Sequence, residues 1–485
     1  MRKKIFNILT SILLITSLTA CGANSNNNVE VSAKSTGDLI DNLDKSSTEL
    51  ASTDTTEGEN SKEKTSDREK AKANWEMSLA KEKENDSKRE KEREKDLESY
   101  KESSEARKSK DEDKKEQKQE NNDQKQNKED KEEDKEEDYD KVKMKFFGDT
   151  MAHLGQIQYA YSYGEGDYDF SNQFAYISDF VKDSDLSITN YETTSNPNRE
   201  YAGFPAFNAP PVYLKNIKDA GFDIVTTANN HSLDTDEEGV QTTIEAAKEA
   251  GLDYVGSKEK ESDKILYKEI NGMKIAILAY TYGANGKEDL LNLREEVDSL
   301  NYLHEENIKS DIEEAKANGA DFIIVYPHWE IEYESYPQET TVELAHNMID
   351  WGADLVIGNH PHVVQPVEVY KNEDGKEGLI AYALGNFISK QSLEVSGDIR
   401  CEQALSIELS LNKNEKTGNK KISDIKLHPL WVGTNYDDYG ASTKTYLCED
   451  FLEGGYKYDL VDEYQRERIQ EAYDMTMETA TTEVN

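Results

Sequence analysis

The sequence is poor in cysteine and lacks several motifs that mark common enzyme classes. It has 3 cysteines in 485 residues, too few for a zinc-binding cysteine quartet. It also has no glycine-rich loop of the P-loop type and no Gly-x-Ser-x-Gly turn around a nucleophilic serine. These absences argue against P-loop nucleotide hydrolases, against serine esterases of the α/β-hydrolase type and against cysteine-based zinc domains.

Basic residues are scarce relative to acidic ones beyond residue 140. Residues 141–485 carry 30 Lys/Arg and 63 Asp/Glu, a net charge of −33. Nucleic-acid backbones and anionic lipid surfaces are bound by clustered Lys and Arg, which a strongly acidic surface does not provide. The composition therefore predicts no nucleic-acid partner.

The longest apolar run lies at the N-terminus, from Ile5 to Leu18, and is shorter than the roughly 20 residues that span a bilayer. It follows Arg2-Lys3-Lys4 and precedes Leu-Thr-Ala-Cys, ending at Cys21. This pattern predicts a lipoprotein signal peptide over 1–20 and lipid attachment at Cys21, hence an anchored protein on the extracellular face of the cell membrane. An ordinary cleaved signal with an incidental cysteine is the alternative.

The next two segments offer almost nothing to a hydrophobic core. Residues 21–60 are rich in Asn, Ser, Thr and Asp and read as a flexible tether. Residues 61–140 hold 23 basic and 29 acidic side chains. Opposite charges three and four residues apart favour a solvated helix, whereas the low apolar content favours disorder. In either case the segment is a charged stalk or linker.

From Val142 the pattern changes to short β-branched apolar runs alternating with amphipathic stretches, which is typical of an α/β domain. A Gly, usually followed by Asp, recurs between a predicted helix and the next strand, as in KDAGFDIV and IDWGADLV. We expect one domain over 141–435. Residues 436–485 read as an extension packing on it, with a closing helix over 460–477. Cys401 and Cys448 either form a disulfide, which export permits, or remain two buried thiols.

Ligand-type side chains follow five predicted strands, and the carboxyl ends of strands are where ligands gather in open α/β sheets. These side chains are Asp149, Asn190, Glu192, Asn230, His231, His328, His360 and His362. Imidazole, carboxylate and amide oxygen together suit Mn, Fe or Zn better than Ca or Mg, and such a set could hold one or two ions. The alternative is that each residue caps a helix or satisfies a turn.

Six strings of the sequence resemble the bacterial capsule-synthesis CapA family, which is associated with poly-γ-glutamate. They lie between Met144 and Gln391 and read GDTM, NYET, ANNHSLD, PHWEIEY, GADLVIGNHPHVVQP and YALGNF. The family's domain is similar to calcineurin-like metallophosphatases. The resemblance therefore implies a sandwich of two mixed β-sheets flanked by helices, with a metal cleft at one edge.

The resemblance also implies roles for individual residues. Asp149 would be the opening ligand, Glu192 the bridging carboxylate and His231 the proton donor to a leaving group. The remaining ligands would be Asn230, His328, His360 and His362. Residues placed near substrate or behind the ligands are Asn190, His153, Trp329, Glu332 and Asn386. For Trp329, simple packing is the alternative.

Two departures from the metallophosphatase pattern stand out. Asp149-Thr150-Met151 puts a thioether where the pattern D-x-H has imidazole, so one metal position is weakened unless His153 compensates. Glu192 is one methylene longer than the usual Asp. Both changes argue against classical phosphoesterase activity and are compatible with a metal or anion site.

Three functions remain open from the sequence. The first is a metal-dependent hydrolase or transferase acting on a phosphoester or another envelope substrate. The second is an accessory subunit that holds an anionic capsule polymer alongside membrane capsule-synthesis subunits. The third is a surface binding protein without chemistry. The sequence leaves open whether the protein is an enzyme.

Overall fold

The computed structural model describes residues 139–290 and 297–484. In this part of the chain, no helix is both long enough and apolar enough to cross a membrane. Several predictions fall outside the described residues: the signal peptide 1–20, the tether 21–60, nearly all of the stalk 61–140, and lipid attachment at Cys21.

The described residues form alternating strands and helices. In chain order the strands are β1 (Asp140–Thr150), β2 (Leu186–Tyr191), β3 (Ile224–Thr226), β4 (Asp253–Val255), β5 (Leu266–Ile270), β6 (Met273–Thr281), β7 (Phe322–His328), β8 (Leu355–Ile357), β9 (Val367–Lys371), β10 (Glu377–Ala381), β11 (Asn386–Ile388), β12 (Gln403–Lys413), β13 (Lys420–Asp437) and β14 (Gly440–Leu447). The α-helices are α1 (Leu154–Tyr163), α2 (Ser178–Lys182), α3 (Val212–Ala220), α4 (Asp236–Ala250), α5 (Lys287–Leu290), α6 (Glu305–Ala317), α7 (Glu339–Trp351), α8 (Leu393–Ser396), α9 (Cys448–Phe451) and α10 (Glu463–Ala480). Short 3₁₀ helices lie at Ser171–Phe174, Glu261–Asp263, Ile399–Glu402 and Tyr458–Leu460.

The strands form two mixed sheets. The first has the order β14-β13-β12-β1-β2-β3-β4, with β11 also paired to β1. Strands β1 to β4 run parallel, whereas β12, β13 and β14 are antiparallel. The second has the order β5-β6-β7-β8-β10-β9, with parallel pairing at its centre and antiparallel edges. The predicted fold class, two mixed sheets flanked by helices, is confirmed.

The main core lies between the two sheets. Alternate residues of β1, Val142, Met144 and Phe146, are fully buried there with Ile277 and Ile324 of the second sheet. Each such side chain contributes roughly 1.5–3 kcal/mol by leaving water. Separate clusters bury the outer faces, with α3 and α4 over the first sheet and α6 and α7 over the second. Each sheet is therefore packed on both faces, which holds its strand ends in place.

The predicted helix-to-strand junctions are present. Gly221 and Gly251 follow α3 and α4 with φ of +116° and +78°, the left-handed conformation that glycine adopts without a steric penalty. In each case the next strand starts within three residues. These tight junctions keep the parallel strands of the first sheet in register.

The C-terminal region does not divide at the predicted boundary. The proposed division at residue 436 falls inside β13, which turns at Asp438-Tyr439 into β14 as part of the first sheet. The closing helix runs over Glu463–Ala480 instead of 460–477, because the Asp462 side chain accepts from the Gln465 backbone N–H and fixes the start. Cys401 and Cys448 are buried and unpaired, so the disulfide alternative is wrong.

Candidate metal centre

Ligand-type side chains from both sheets meet at one edge of the sandwich. Asp149 ends β1 and is paired in register with Asn190 of β2, while His328 ends β7 and bridges to Asn359 after β8. Neighbouring parallel strands in register must bring their carboxyl ends to the same edge. All six ligands expected from the sequence are at most 3% exposed: Asp149, Glu192, Asn230, His328, His360 and His362.

One group of ligand-type atoms is formed by Asp149, Glu192 and His328, whose candidate ligand atoms lie within 4.8 Å of one another. The amide oxygen of Asn230 is 3.0 Å from His328 Nε2. It therefore faces the same space as Glu192, whose Oε1 is 3.7 Å from that nitrogen.

A second group is formed by Glu192, His360 and His362. The distance from Glu192 Oε1 to His362 Nε2 is also 3.7 Å. That separation is too long for a hydrogen bond, yet a cation about 2.0–2.2 Å from each atom can contact both. Glu192 belongs to both groups, so its carboxylate is close enough to contact an ion in either position.

Two buried atoms in this cluster have no hydrogen-bond partner, Glu192 Oε1 and His360 Nδ1. Leaving a buried polar atom unpaired costs about 1–3 kcal/mol, so such atoms call for a partner. Oxygen and imidazole nitrogen are the ligands that divalent transition metals prefer. The residues present therefore fit a divalent metal ion.

Burial disfavours charge on the side chains of this cluster. Burial, with nearby Asp149, raises the pKa of Glu192 well above its usual value. Burial and neighbouring imidazoles hold the pKa of His328 well below 6.5 and lower that of His360 to about 3. The imidazoles are thus neutral at physiological pH, which is the form that binds metal.

The loop after β8 is strained where it presents its histidines. His360 and His362 have φ of +104° and +60°, which non-glycine residues rarely adopt. Such strain costs on the order of 1–3 kcal/mol and collects at functional sites. Gly358 permits the bend, since a Cβ there would lie 1.9 Å from the Tyr382 carbonyl oxygen.

His231 lies beside the ligand groups and is held by a carboxylate. Its Nδ1 is 2.7 Å from Asp234 Oδ2, and its ring packs edge-on against Phe207 at 4.6 Å. The second oxygen, Asp234 Oδ1, has no hydrogen bond and lies 3.8 Å from Lys287 Nζ. Sequence reasoning missed Asp234, although an acidic residue three positions after a histidine in a turn is a usable signal.

Asn190 and Asn386 support the ligands instead of joining them. Asn190 Nδ2 donates to Asp149 Oδ1 at 2.8 Å, and its own oxygen accepts from Thr226 Oγ1 at 3.1 Å. Asn386 Nδ2 lies within hydrogen-bond distance of the carbonyl oxygens of Cys401 and His362. Both side chains therefore lie within hydrogen-bond distance of a proposed ligand residue, Asn190 of Asp149 and Asn386 of the His362 backbone.

The other three expected residues differ in their positions. His153 starts α1, and its Nε2 lies 3.0 Å from Ser389 Oγ, outside both ligand groups. Trp329 is buried and donates to the Tyr382 carbonyl oxygen at 2.9 Å, which is the packing alternative. Glu332 is exposed at the mouth of the cleft, close enough to raise the pKa of Glu192.

Met151 is buried and its sulfur lies 3.7 Å from Ser389 Oγ. His153 Nε2 is engaged with the same serine at 3.0 Å, so both side chains contact Ser389. Neither residue belongs to a described ligand group.

Two tyrosines lie at the mouth of the cleft, and of these Tyr282 was not expected from the sequence. The Tyr282 ring lies 4.9 Å from that of His360, and the Tyr333 ring lies 6.1 Å from that of His362. Burial and the carboxylates of Glu332 and Glu192 raise the pKa of Tyr282 to about 12. Tyr282 directly follows β6, so extending the strand-end rule to that strand would have found it.

The sequence model of the family described as bacterial capsule synthesis protein PGA_cap matches residues 143–391, just over half of the chain. The capsule biosynthesis protein CapA of Bacillus anthracis is 34% identical over 261 residues, which cover 52% of this chain and 61% of that protein. The PGA biosynthesis protein CapA of Bacillus subtilis (strain 168) is 31% identical over 261 residues, which cover 53% of this chain and 65% of that protein.

The matched region thus spans less than two thirds of either relative. Among solved structures, the calcineurin-like phosphoesterase YfkN from Bacillus subtilis aligns with a TM-score of 0.40 and 16% identity, covering 70% of this chain and 98% of that one. The family match confirms the resemblance seen in the sequence motifs: this chain belongs to the bacterial capsule synthesis protein PGA_cap family.

Proposed function

We propose that this protein acts in the synthesis, export or anchoring of a poly-γ-glutamate-type capsule polymer, through a divalent-metal cleft at the extracellular face of the cell membrane. Family membership supports the role in capsule synthesis. The observation that carries the metal-dependent part is Glu192, whose unpartnered Oε1 lies 3.7 Å from the imidazoles of both His328 and His362.

The two overlapping groups would hold one or two ions of Mn, Fe or Zn. Asp149, Glu192, Asn230 and His328 would form one position, and Glu192, His360 and His362 the other. When bound, such ions supply Lewis-acid activation and neutralise developing negative charge. Asn190 orients Asp149 from behind through its 2.8 Å hydrogen bond.

Charge matching favours this use of the cleft. With a net charge of −33 over residues 141–485, the domain repels a polyanion except where cations concentrate. Bound divalent ions would supply that local positive charge. A γ-glutamyl carboxylate or a peptide carbonyl could then approach the buried cluster past Tyr282 and Tyr333.

Hydrolysis of an envelope substrate is the second candidate, and the His231–Asp234 pair favours it. Asp234 fixes Nδ1 of the imidazole at 2.7 Å, which leaves Nε2 to hold or donate a proton. Met151, in contrast, favours holding a polymer without cleaving it. Turnover assays on phosphoesters and γ-glutamyl polymers, with metal content known, separate these two functions.

The anchoring part of the proposal rests on Cys21 in Leu-Thr-Ala-Cys and the apolar run before it. A lipid anchor would place the cleft beside membrane subunits that make or export the polymer. Cys21→Ala should release the protein from membranes into the medium. Unchanged retention of this variant would contradict the lipid anchor.

The metal proposal is tested with the purified full chain. After saturation with Mn, Zn or Fe and removal of free ions, elemental analysis should find bound metal in the wild type and markedly less in Glu192→Gln. Glu368→Gln is the matched control, because Glu368 is hydrogen-bonded to His346 and Tyr382 and belongs to neither ligand group. Wild-type protein without metal would refute the metal centre. Metal-loaded protein whose binding to poly-γ-glutamate is unchanged by chelation would refute the proposed use of that centre.

A further inference from the structure

A surface beside the cleft, here called the aromatic patch, is formed by the exposed side chains of Leu154, Tyr161 and Phe204 with the half-buried rings of Tyr168 and Tyr201. Phe204 is 78% exposed, Leu154 50% and Tyr161 43%. Single exposed apolar residues are ordinary, whereas contiguous exposed patches mark interaction sites.

The contacts connect three chain segments. Leu154 and Tyr161 are seven residues apart on α1 and share one helix face. The ring of Tyr168 lies 5.2 Å from that of Tyr161 and 5.4 Å from that of Tyr201. The loop carrying Phe204 lies against the start of α1, since a Cβ on Gly203 would be 2.4 Å from the Leu154 nitrogen.

The most accessible rings of the patch are those of Phe204 and Tyr161. The Tyr161–Tyr168 pair is tilted by 54° and the Tyr168–Tyr201 pair by 88°, so neither pair is stacked. The face of an aromatic ring is electron-rich and attracts partially positive C–H groups. A partner that presents flat C–H surfaces, as sugar rings do, would match these faces.

The charges around the patch select against an anionic polymer. Residues 154–168 and 200–204, which form the patch, include the acidic residues Glu165, Asp167 and Glu200 and no Lys or Arg. Among the described residues, Lys390 lies beside Gly155 at the end nearest the cleft, and Arg199, which precedes Glu200, is paired with Asp236. A polyanion would be repelled along most of the patch, whereas an uncharged polymer would not.

Ring packing connects the patch to the candidate site. The Phe204 ring lies 6.5 Å from that of the buried Phe207, which packs edge-on against both His231 and His153 at 4.6 and 5.0 Å. The exposed Phe204 ring is therefore two ring contacts away from the proposed proton-transfer residue. This connection argues for a polymer-binding surface that serves the cleft.

We propose that the aromatic patch binds an uncharged glycan strand. The protein would then contact two envelope polymers of different chemistry, a sugar polymer on the patch and an anionic polymer at the metal cleft. The inference goes beyond the proposed function and does not require the metal centre. It predicts that glycan binding survives removal of metal.

The test measures binding of chitohexaose, an uncharged N-acetylglucosamine oligomer, to the purified full chain by calorimetry in the presence of a chelator. Phe204→Ala and Tyr161→Ala should each weaken binding by roughly three- to tenfold, the range expected from loss of one aromatic contact. Tyr456→Ala is the matched control, because Tyr456 is 74% exposed and lies outside the patch. Its affinity and melting temperature should equal those of the wild type.

Three results would overturn the proposal. One is a wild-type protein that shows no binding at the highest soluble oligomer concentration. Another is retention of full affinity in both patch variants. The last is a loss of poly-γ-glutamate binding in the patch variants with no effect on chitohexaose, which would make the polyanion the occupant. None of these results bears on metal content, so the proposed function is tested separately.

Discussion

Substitutions at His360 can separate two effects on the stability of the protein, the backbone strain at this position and the loss of the imidazole side chain. In metal-free protein, His360→Gly removes the strain at φ +104° and the unpartnered buried Nδ1, each worth about 1–3 kcal/mol. It also leaves a cavity, which costs about 2–4 kcal/mol, and adds glycine's chain entropy of about 0.5–1 kcal/mol. The opposing effects nearly cancel, so metal-free stability should stay within about 2 kcal/mol of the wild type.

His360→Ala loses the same imidazole but keeps the strained backbone. We therefore expect the metal-free alanine variant to be less stable than the glycine variant by about 1 kcal/mol, the reverse of their order in a helix. Equilibrium unfolding in denaturant of both variants measures this difference. Equal stabilities would refute the strain argument.

Metal should change the comparison. An ion that binds only the folded state raises its stability, and a tenfold loss of affinity lowers that increment by about 1.4 kcal/mol. Both His360 variants should show a smaller metal-induced increase in stability than the wild type. His346→Ala, which removes a histidine paired with Glu368 outside the ligand groups, should keep the full increase. If the His360 variants keep it too, His360 is not a ligand.

Three further outcomes are expected. Met151→His should raise the number of metal ions per chain in elemental analysis, and an unchanged ratio would show that position 151 does not limit occupancy. His231→Asn should leave metal content unaltered while any hydrolytic turnover falls by roughly a hundredfold or more, so coincident loss of metal would reject a proton-transfer role. Folding lowers the pKa values of His328 and His360, so below pH about 6.5 the unfolded chain binds protons that the folded protein does not. The free energy of unfolding should therefore fall on acidification, by up to about 1.4 kcal/mol per pH unit for each histidine. The raised pKa of Glu192 has the opposite effect, because the folded protein takes up a proton there as the pH falls. Metal-free Glu192→Gln should therefore lose stability more steeply than the wild type between pH 6.5 and 4.5. Parallel stability profiles of the two proteins against pH would contradict these shifts.

The strand ends could be predicted because they are local features. A run of strand-forming residues that stops at Asp149 or His328 is visible in the sequence, and parallel pairing then brings such ends together. The helix ends at Gly221 and Gly251 are equally local, since the left-handed cap selects glycine. Burial of the ligands follows from the apolar strands that precede them.

The rest depends on contacts between distant segments. Tyr282 and Tyr333 lie at the mouth only because the two sheets meet there, and no periodicity encodes that meeting. The C-terminal boundary was misplaced because β14 reads GASTKTYL, whose Ser and Thr residues give a weak strand pattern. Its place in the sheet comes from pairing with β13 across a two-residue turn.

The position of β12 separates the family match from the folding unit. Strand β1 pairs with β12 from Asp140 opposite Lys413 to Phe146 opposite Ile407. The matched region ends at residue 391 and so includes every candidate ligand but not this partner strand. A chain cut at 391 would expose the backbone N–H and C=O groups along one side of β1, and exposed strand edges recruit other chains. Aggregation of such a truncated protein would report a missing strand and would say nothing about the metal cleft.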